Sequence, residues 1–255
     1  MKEERFFYCP EVKTVSYLPE EEAAHALRVL RMLPGSTITL TDGQGGVYEA
    51  YITATTKREC HFTVIKETKK GHNWKGHLHL AVAPTKHMDR TEWLVEKATE
   101  IGFDEISFLN CQFSERRHIN RERIEKIAIA AMKQSHSVWK PQVNGLEEFD
   151  AFIRKQRSGR KYIAHCYDDI ELCPEGKPFL SIALNCGGAT DETEDILIII
   201  GPEGDFSIEE VKAAIDCGFV PVSLGNSRLR TETAGLVAVH LMNLHNRIDN
   251  DARDN

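Results

Sequence analysis

Arg228, Arg230, Thr231, Glu232 and Thr233 fall within six consecutive residues of "SRLRTET" (Ser227–Thr233). Two guanidiniums can stabilise a developing anion or bind phosphate, and a glutamate beside them can take or orient a proton. They precede an apolar run, "AGLVAVHLMNL", so they sit where a helix begins. A second stretch, "ILIIIGPEGDFSIEEV" (Ile196–Val211), lies upstream. Gly201 and Gly204 let the backbone turn sharply or approach a ligand, and Pro202 fixes one torsion. Ser207 with Glu210 has capping-box spacing for the next helix. By itself this stretch also reads as a tight strand-to-helix turn. Arg228 and Arg230 could likewise be structural partners of Glu232 or Glu203.

Phosphate chemistry fits the upstream stretch poorly. It lacks the Gly-Lys-Ser/Thr ending of a P-loop, and the chain contains no GxGxxG. Glu203 and Asp205 would repel a phosphate at that helix start. A ligand recognised through backbone groups, such as a nucleoside, fits better.

The elements that must hold these loops follow from periodicity. In the first 70 residues "STITLTDG", "GVYEAYITAT" (Gly46–Thr55) and "CHFTVIKE" read as short strands separated by glycine turns, which suggests a small barrel. One helix, Glu20–Leu33, interrupts them and is expected to stop at Pro34-Gly35. Lys69–Gly76 reads as a polar linker. Beyond it strands and helices alternate: His77–Ala83, the helix Asp89–Gly102, "EISFLN", the helix Arg121–Ser137, "KYIAHC", "ILIII", "IEEVKAAIDCG", "VPVSLG" and a last helix to Asn246. That order predicts an α/β domain with a largely parallel sheet, whose ligands bind at the carboxyl edge of the strands. Trp93, Ala98 and Ile101 are expected to face inward, with Gly102 as C-cap. Phe6, Phe7, Trp74 and Trp93 are expected in the core. Leu172–Asp195 reads as an irregular acidic insertion, and Asp249–Asn255 as a frayed tail.

Composition sets the outer limits. The 255 residues carry a net charge of −7, but the surplus of acid lies in the last 110 residues, leaving the earlier part slightly basic and open to an RNA-binding face. Seven scattered cysteines without a CxxC pair suggest a reducing compartment. The charged start "MKEERFFYCP" is not a secretory signal, and no apolar run reaches bilayer length, so a cytoplasmic protein without a membrane partner is expected. His72, His77 and His79 are not expected to form a metal site.

"IIIGPEGDFS" followed by "LGNSRLRTETA" resembles the signature of the RsmE family, the small-subunit ribosomal RNA methyltransferases that modify uridine at N3. "HALRVLRMLPGSTITLTDG", "KHMDRTEWLVEKATEIG", "SERR" and "AMKQS" resemble the family in order, so the likeness covers nearly the whole chain. Two departures stand out: Asp205 follows Gly204 where the family often has a second glycine, and "SHSVWKP" follows Gln134 where it often has an arginine.

The resemblance implies a PUA-like RNA-binding β-barrel over residues 1–70. Over residues 71–255 it implies an α/β trefoil-knot (SPOUT) methyltransferase domain. It implies a homodimer that uses S-adenosyl-L-methionine on 16S rRNA or the small ribosomal subunit, without a metal. The cofactor pocket would be lined by Gly201, Pro202, Glu203, Gly204, Leu224, Gly225, Leu229, Thr231 and Ala234. Arg230 would stabilise the uridine anion, and Glu232 or Glu203 would handle the proton. His25, Arg28, Arg31, Lys86, Arg90, Arg116 and Arg117 would meet RNA. Two other readings remain: a non-catalytic RNA-binding protein that keeps the fold, and a knot methyltransferase acting on tRNA.

Overall fold

The computed structural model describes residues 5–167, 173, 176–185 and 195–248. The chain divides into two compact units, one of Met1–His72 with Ile129–Lys140, the other of Asn73–Ala128 with Pro141–Asn255.

The first unit is built on one four-stranded sheet. Strand β1 (Phe6–Tyr8) runs parallel to β2 (Thr37–Thr41), which is antiparallel to β3 (Gly46–Thr55); β3 in turn is antiparallel to β4 (Cys60–Lys69). Alternation along β3 sends Tyr48, Ala50 and Ile52 inward and leaves Glu49 and Tyr51 outside, the period of two that β geometry imposes. The turn between β2 and β3 is held by Asp42, whose carboxylate accepts the amides of Gln44 (2.7 Å) and Gly46 (2.9 Å) and the Tyr48 hydroxyl (2.9 Å).

The helix of this unit departs from the sequence expectation. Its α-helical part, α1 (Glu20–Ala24), passes into a π-helical turn over His25–Val29. The chain leaves at Arg31, which takes φ +49°, and the Met32 amide bonds back to the Ala26 carbonyl (3.0 Å). This closure, one residue wider than a Schellman motif as the π-helical turn requires, comes with a buried Met32, and it ends the helix before Pro34 can.

The second unit contains a six-stranded, all-parallel sheet. Its strands are β5 (Leu78–Val82), β6 (Glu105–Asn110), β7 (Gln142–Glu148), β8 (Arg160–Ala164), β9 (Ile196–Ile200) and β10 (Val220–Val222), in the spatial order β10-β8-β9-β5-β6-β7. The helices are α2 (Met88–Ile101), α3 (Arg121–Gln134, shared between the units), α4 (Phe149–Ile153), α5 (Leu180–Asn185), α6 (Ile208–Asp216) and α7 (Thr231–Asn246). Strand β9 shows why the sheet is covered on both sides. Ile196, Ile198 and Ile200 enter the core cluster that includes Leu94 and Val239, whereas Leu197 and Ile199 enter the one that includes Phe149 and Val211. Each such side chain contributes roughly 1.5–3 kcal/mol of burial.

Several expectations need correction. Trp93 is 42% exposed, because the buried stripe of α2 is Thr91, Leu94, Val95, Ala98 and Thr99, and residue 93 falls outside it. Phe6 and Ile101 are only partly buried. The boundary between the two units falls inside the expected linker Lys69–Gly76, between His72 and Asn73, but the ends of that stretch are structured. Lys69 ends β4, and Trp74 is buried, its indole donating to Asp104 Oδ2 (2.8 Å). Within Leu172–Asp195, α5 buries Leu180 and Leu184 in the core, while residues 186–194 lie outside the described residues, as does the tail 249–255. The strands β1 and β7 and the helix α4 have no counterpart in the sequence reading.

Candidate functional site

The carboxyl ends of β8, β9 and β10 meet at one edge of the parallel sheet, where α/β domains bind ligands. After β9 the chain forms the loop Gly201–Ser207. It closes on a complete capping box: the Glu210 amide donates to Ser207 Oγ (3.1 Å) and the Ser207 amide to Glu210 Oε2 (2.8 Å). After β10 the loop Ser223–Arg230 leads to α7, which Arg230 caps in an extended conformation. Thr231, at the first turn of that helix, donates its hydroxyl to the Gly201 carbonyl (3.1 Å), so the two sequence motifs are bonded together.

The loop after β10, together with the segment after β8, borders an open cleft of about 650 Å³. Leu224, Gly225, Leu229 and Ala234 line it, with His165, Cys166, Lys177 and Phe179 opposite. A small recess of about 50 Å³, sharing Ala164, Cys166, Arg228, Leu229 and Ala234 with the cleft, adds Gly201, Pro202, Glu203, Asp205 and Thr231. Of the expected cofactor residues, eight therefore converge here. Gly204 does not line either space; it is exposed, and a Cβ there would stand 3.2 Å from the Cβ of Phe113. Gly201 is needed for packing, since a Cβ would come within 3.1 Å of Phe206.

The carboxylates occupy distinct settings. Glu203 Oε1 accepts the Lys86 amide (2.9 Å), which ties the β5–α2 loop to the β9 loop. Glu232 is buried; its Oε1 lies 3.9 Å from Arg90 Nε, and its Oε2 has no hydrogen-bond partner among the described residues. Arg228 Nη2 reaches the backbone carbonyl of Glu203 (3.4 Å), not a carboxylate. Arg230 is exposed, and it lines neither the cleft nor the recess. Burial raises the Cys166 thiol above its ordinary value, and the nearby Asp205 charge adds to this, so it stays protonated.

The basic residues divide between the units. His25 and Arg28 are exposed on the π-helical turn of the first unit and Arg31 just after it, with the His25 ring edge-on to Phe7 at 6.2 Å. In the second unit Arg116 donates twice to the Lys86 carbonyl (3.1 and 3.0 Å), and Lys86 Nζ pairs with Glu115 (2.6 Å). Arg90 is half-buried beside Glu232, and Arg117 is exposed. No group of three or more metal-ligating side chains occurs among the described residues, and no described helix is long and apolar enough to cross a membrane.

The loop after β8 was missed from sequence. Its signal was available, because every strand of a parallel sheet ends at the same edge, but "AHCY" carries no motif of its own.

The RNA methyltransferase domain family matches residues 72–243, and the RNA methyltransferase PUA domain family matches residues 18–65. The chain belongs to the RsmE family of RNA methyltransferases. Among its relatives, the ribosomal RNA small subunit methyltransferase E of Buchnera aphidicola is 28% identical over 88% of this chain and 85% of that protein. Its Bacillus subtilis counterpart is 26% identical over 86% of each. A crystal structure of a probable rRNA-methyltransferase from Porphyromonas gingivalis is 40% identical and superimposes with a TM-score of 0.84, covering 95% of this chain and 98% of that one. The Neisseria gonorrhoeae RsmE structure, bound to S-adenosyl methionine, gives 27% identity and a TM-score of 0.79 over the same shares. The PUA-like first unit and the parallel-sheet second unit are the RsmE architecture.

The site's chemistry fits the cofactor. The cleft falls in the size range of small-ligand pockets, and it joins apolar walls at Leu224, Leu229 and Ala234 to backbone-rich loops. At Gly225, φ +155° with nothing within 4 Å of a would-be Cβ leaves the backbone open to a ligand.

Proposed function

We propose that this protein transfers a methyl group from S-adenosylmethionine to N3 of a uridine in 16S ribosomal RNA. The observation that carries the reading is the bond joining Gly201 to Thr231 at the carboxyl edge of β8–β10, where both loops line a recess that shares its walls with the larger cleft. The names and the bound cofactor of the relatives support it. We further infer that the loops form the trefoil knot of the SPOUT class, that the protein works as a cytoplasmic homodimer, and that residues 1–70 serve RNA binding while 71–255 carry the reaction.

When bound, S-adenosylmethionine supplies an electrophilic methyl on a sulfonium. The protein's residues must supply the rest. Uridine N3 bears a proton that has to leave as the methyl arrives. Glu232 is the better placed carboxylate for receiving it, because Oε2 is buried and unpartnered while Arg90 holds the Oε1 side. Glu203 already spends one oxygen on the Lys86 amide, and it acts by fixing the β5–α2 loop against the cleft. Arg230, at the start of α7, stabilises the negative charge that the uracil ring gains. Gly201, Pro202, Leu224, Gly225, Leu229, Thr231 and Ala234 hold the cofactor, and Gly204 shapes the turn beside them. His25, Arg28 and Arg31 bind RNA phosphates, as do Lys86, Arg116 and Arg117 around the second unit's loops.

Mass spectrometry of small-subunit ribosomal RNA from a strain lacking the gene tests the reading. Loss of one methyl from a single uridine is the expected result. An unchanged ribosomal RNA, or a methyl lost from transfer RNA instead, would overturn it.

A further inference from the structure

Asp205 is one of three non-glycine residues with positive φ among the described residues, at +70°. An L-residue takes this conformation at a cost, although aspartate tolerates it better than most. Its carboxylate explains why it stays. Oδ2 accepts the Cys166 amide (2.8 Å) and Oδ1 the Phe206 amide (2.8 Å). Cys166 follows β8 by two residues, and Phe206 leads into α6 after β9. One side chain thus bonds the loops at the ends of two neighbouring strands.

Both loops belong to the cleft. Cys166 lines its larger and smaller parts, and Asp205 lines the smaller one. Across the recess, Thr231 ties the β9 loop to α7. The β9 loop is therefore fixed on one side by Thr231 and on the other by Asp205. An amide–carboxylate bond is stronger than a neutral one, and here the acceptor charge reaches both segments at once.

We propose that Asp205 is a positioning residue for cofactor binding: it clamps the loop after β8 to the loop after β9 and so holds the cleft in its binding shape before the ligand arrives. The proposal rests on the reading of the cleft as an S-adenosylmethionine site. It predicts an effect on affinity without an effect on the chemical step, since Asp205 is not placed at the reacting atoms.

The test uses the full-length protein with Asp205→Gly and Asp205→Asn. Glycine keeps the positive φ without strain and removes both bonds; asparagine tolerates the conformation and leaves one accepting oxygen. Calorimetry should show S-adenosylmethionine binding weakened roughly tenfold in Asp205→Gly and less in Asp205→Asn, the scale of one lost charged hydrogen bond. KM for the cofactor should rise while kcat at saturating cofactor is kept. Amide exchange at Cys166 and Phe206 should quicken in Asp205→Gly, while the melting temperature of the unliganded protein shifts by no more than about 4 °C. Unchanged exchange at both amides would overturn the clamp. Unchanged affinity despite quicker exchange would overturn its role in binding. Absence of binding in the unsubstituted protein would instead defeat the cofactor reading, with exchange still judging the clamp.

Discussion

Thr231 Oγ1 donates to the carbonyl of Gly201 at 3.1 Å, joining two motifs that stand 30 residues apart in the chain. Both residues are buried, so the carbonyl has no ready access to water as a substitute. Thr231→Val keeps the shape and removes the donor. It should lower the unfolding free energy by about 1–3 kcal/mol in urea titrations, the cost of an unsatisfied buried acceptor. It should also weaken S-adenosylmethionine binding. A variant as stable and as tight as the parent would mean that the motifs hold their places without this bond.

Gly102 ends α2 at φ +106°, and a Cβ there would stand 2.6 Å from Trp74 Cζ3. The Trp74 ring is in turn fixed by Asp104, whose Oδ2 also accepts the Leu78 amide (2.8 Å). Gly102→Ala combines an unfavourable torsion with a clash against an anchored ring. We expect a loss of about 2–4 kcal/mol. Thermal unfolding measures it, and a loss below about 1 kcal/mol would show that the ring shifts freely.

Acid should destabilise the second unit from the amino-terminal edge of its sheet. His79 is buried beside Ser107 (2.9 Å), and burial pushes its imidazole below the ordinary value of 6.5. Burial would raise Glu105, but the hydrogen bond from His77 (2.9 Å) together with the His79 charge and Asn144 outweighs it and holds this carboxyl below 4.5. Both groups bind protons more readily in the unfolded chain. Stability is therefore complete above about pH 6.5 and falls as pH drops, first through His79 and then, below about 4.5, through Glu105. His77 works the other way: its raised pKa, caused mainly by the Glu105 hydrogen bond, adds stability below 6.5 that is lost above its folded value. Urea titrations from pH 7 to pH 3 should show a net decline that Glu105→Gln flattens at its acid end. A profile that is flat in the parent would refute the linkage.

Arg28 on the π-helical turn of the first unit and Arg31 just beyond it are both exposed. If they meet phosphates, replacing both by alanine should weaken RNA binding and reduce the salt slope of log K by about 2. An unchanged slope would remove them from the RNA face.

Much of the fold was legible. The run Ile196–Ile200 announced a strand covered on both faces, and the Ser207/Glu210 spacing announced its capping box, because each signal is local. Gly102 announced the end of α2 for the same reason. The failures share a cause. Helix α1 could not be seen to widen and stop at Arg31, because burial of Met32 sets that end and the core lies outside the local window. Trp93 looked like core by composition, but helical phase placed it outside. Strand β1 has only three residues, and its partner β2 is more than twenty residues away. At the site, the two motif loops were legible, since glycine, proline and arginine carry their chemistry in their names. The loop after β8 was not, because Ala164, His165 and Cys166 matter only through where parallel pairing puts them. The role of Asp205 was hidden for the same reason: its partner amide is 39 positions away.

The most direct measurement is methyl transfer by purified protein to unmodified 16S ribosomal RNA or small subunits, with S-adenosylmethionine carrying a labelled methyl and the nucleosides resolved by mass spectrometry. The account predicts label in 3-methyluridine at one position, and a rate reduced at least about 100-fold by Arg230→Ala, as for removal of one oxyanion-stabilising group, with cofactor affinity retained. No transfer, label on another nucleoside, or an Arg230→Ala variant that turns over like the parent would contradict it.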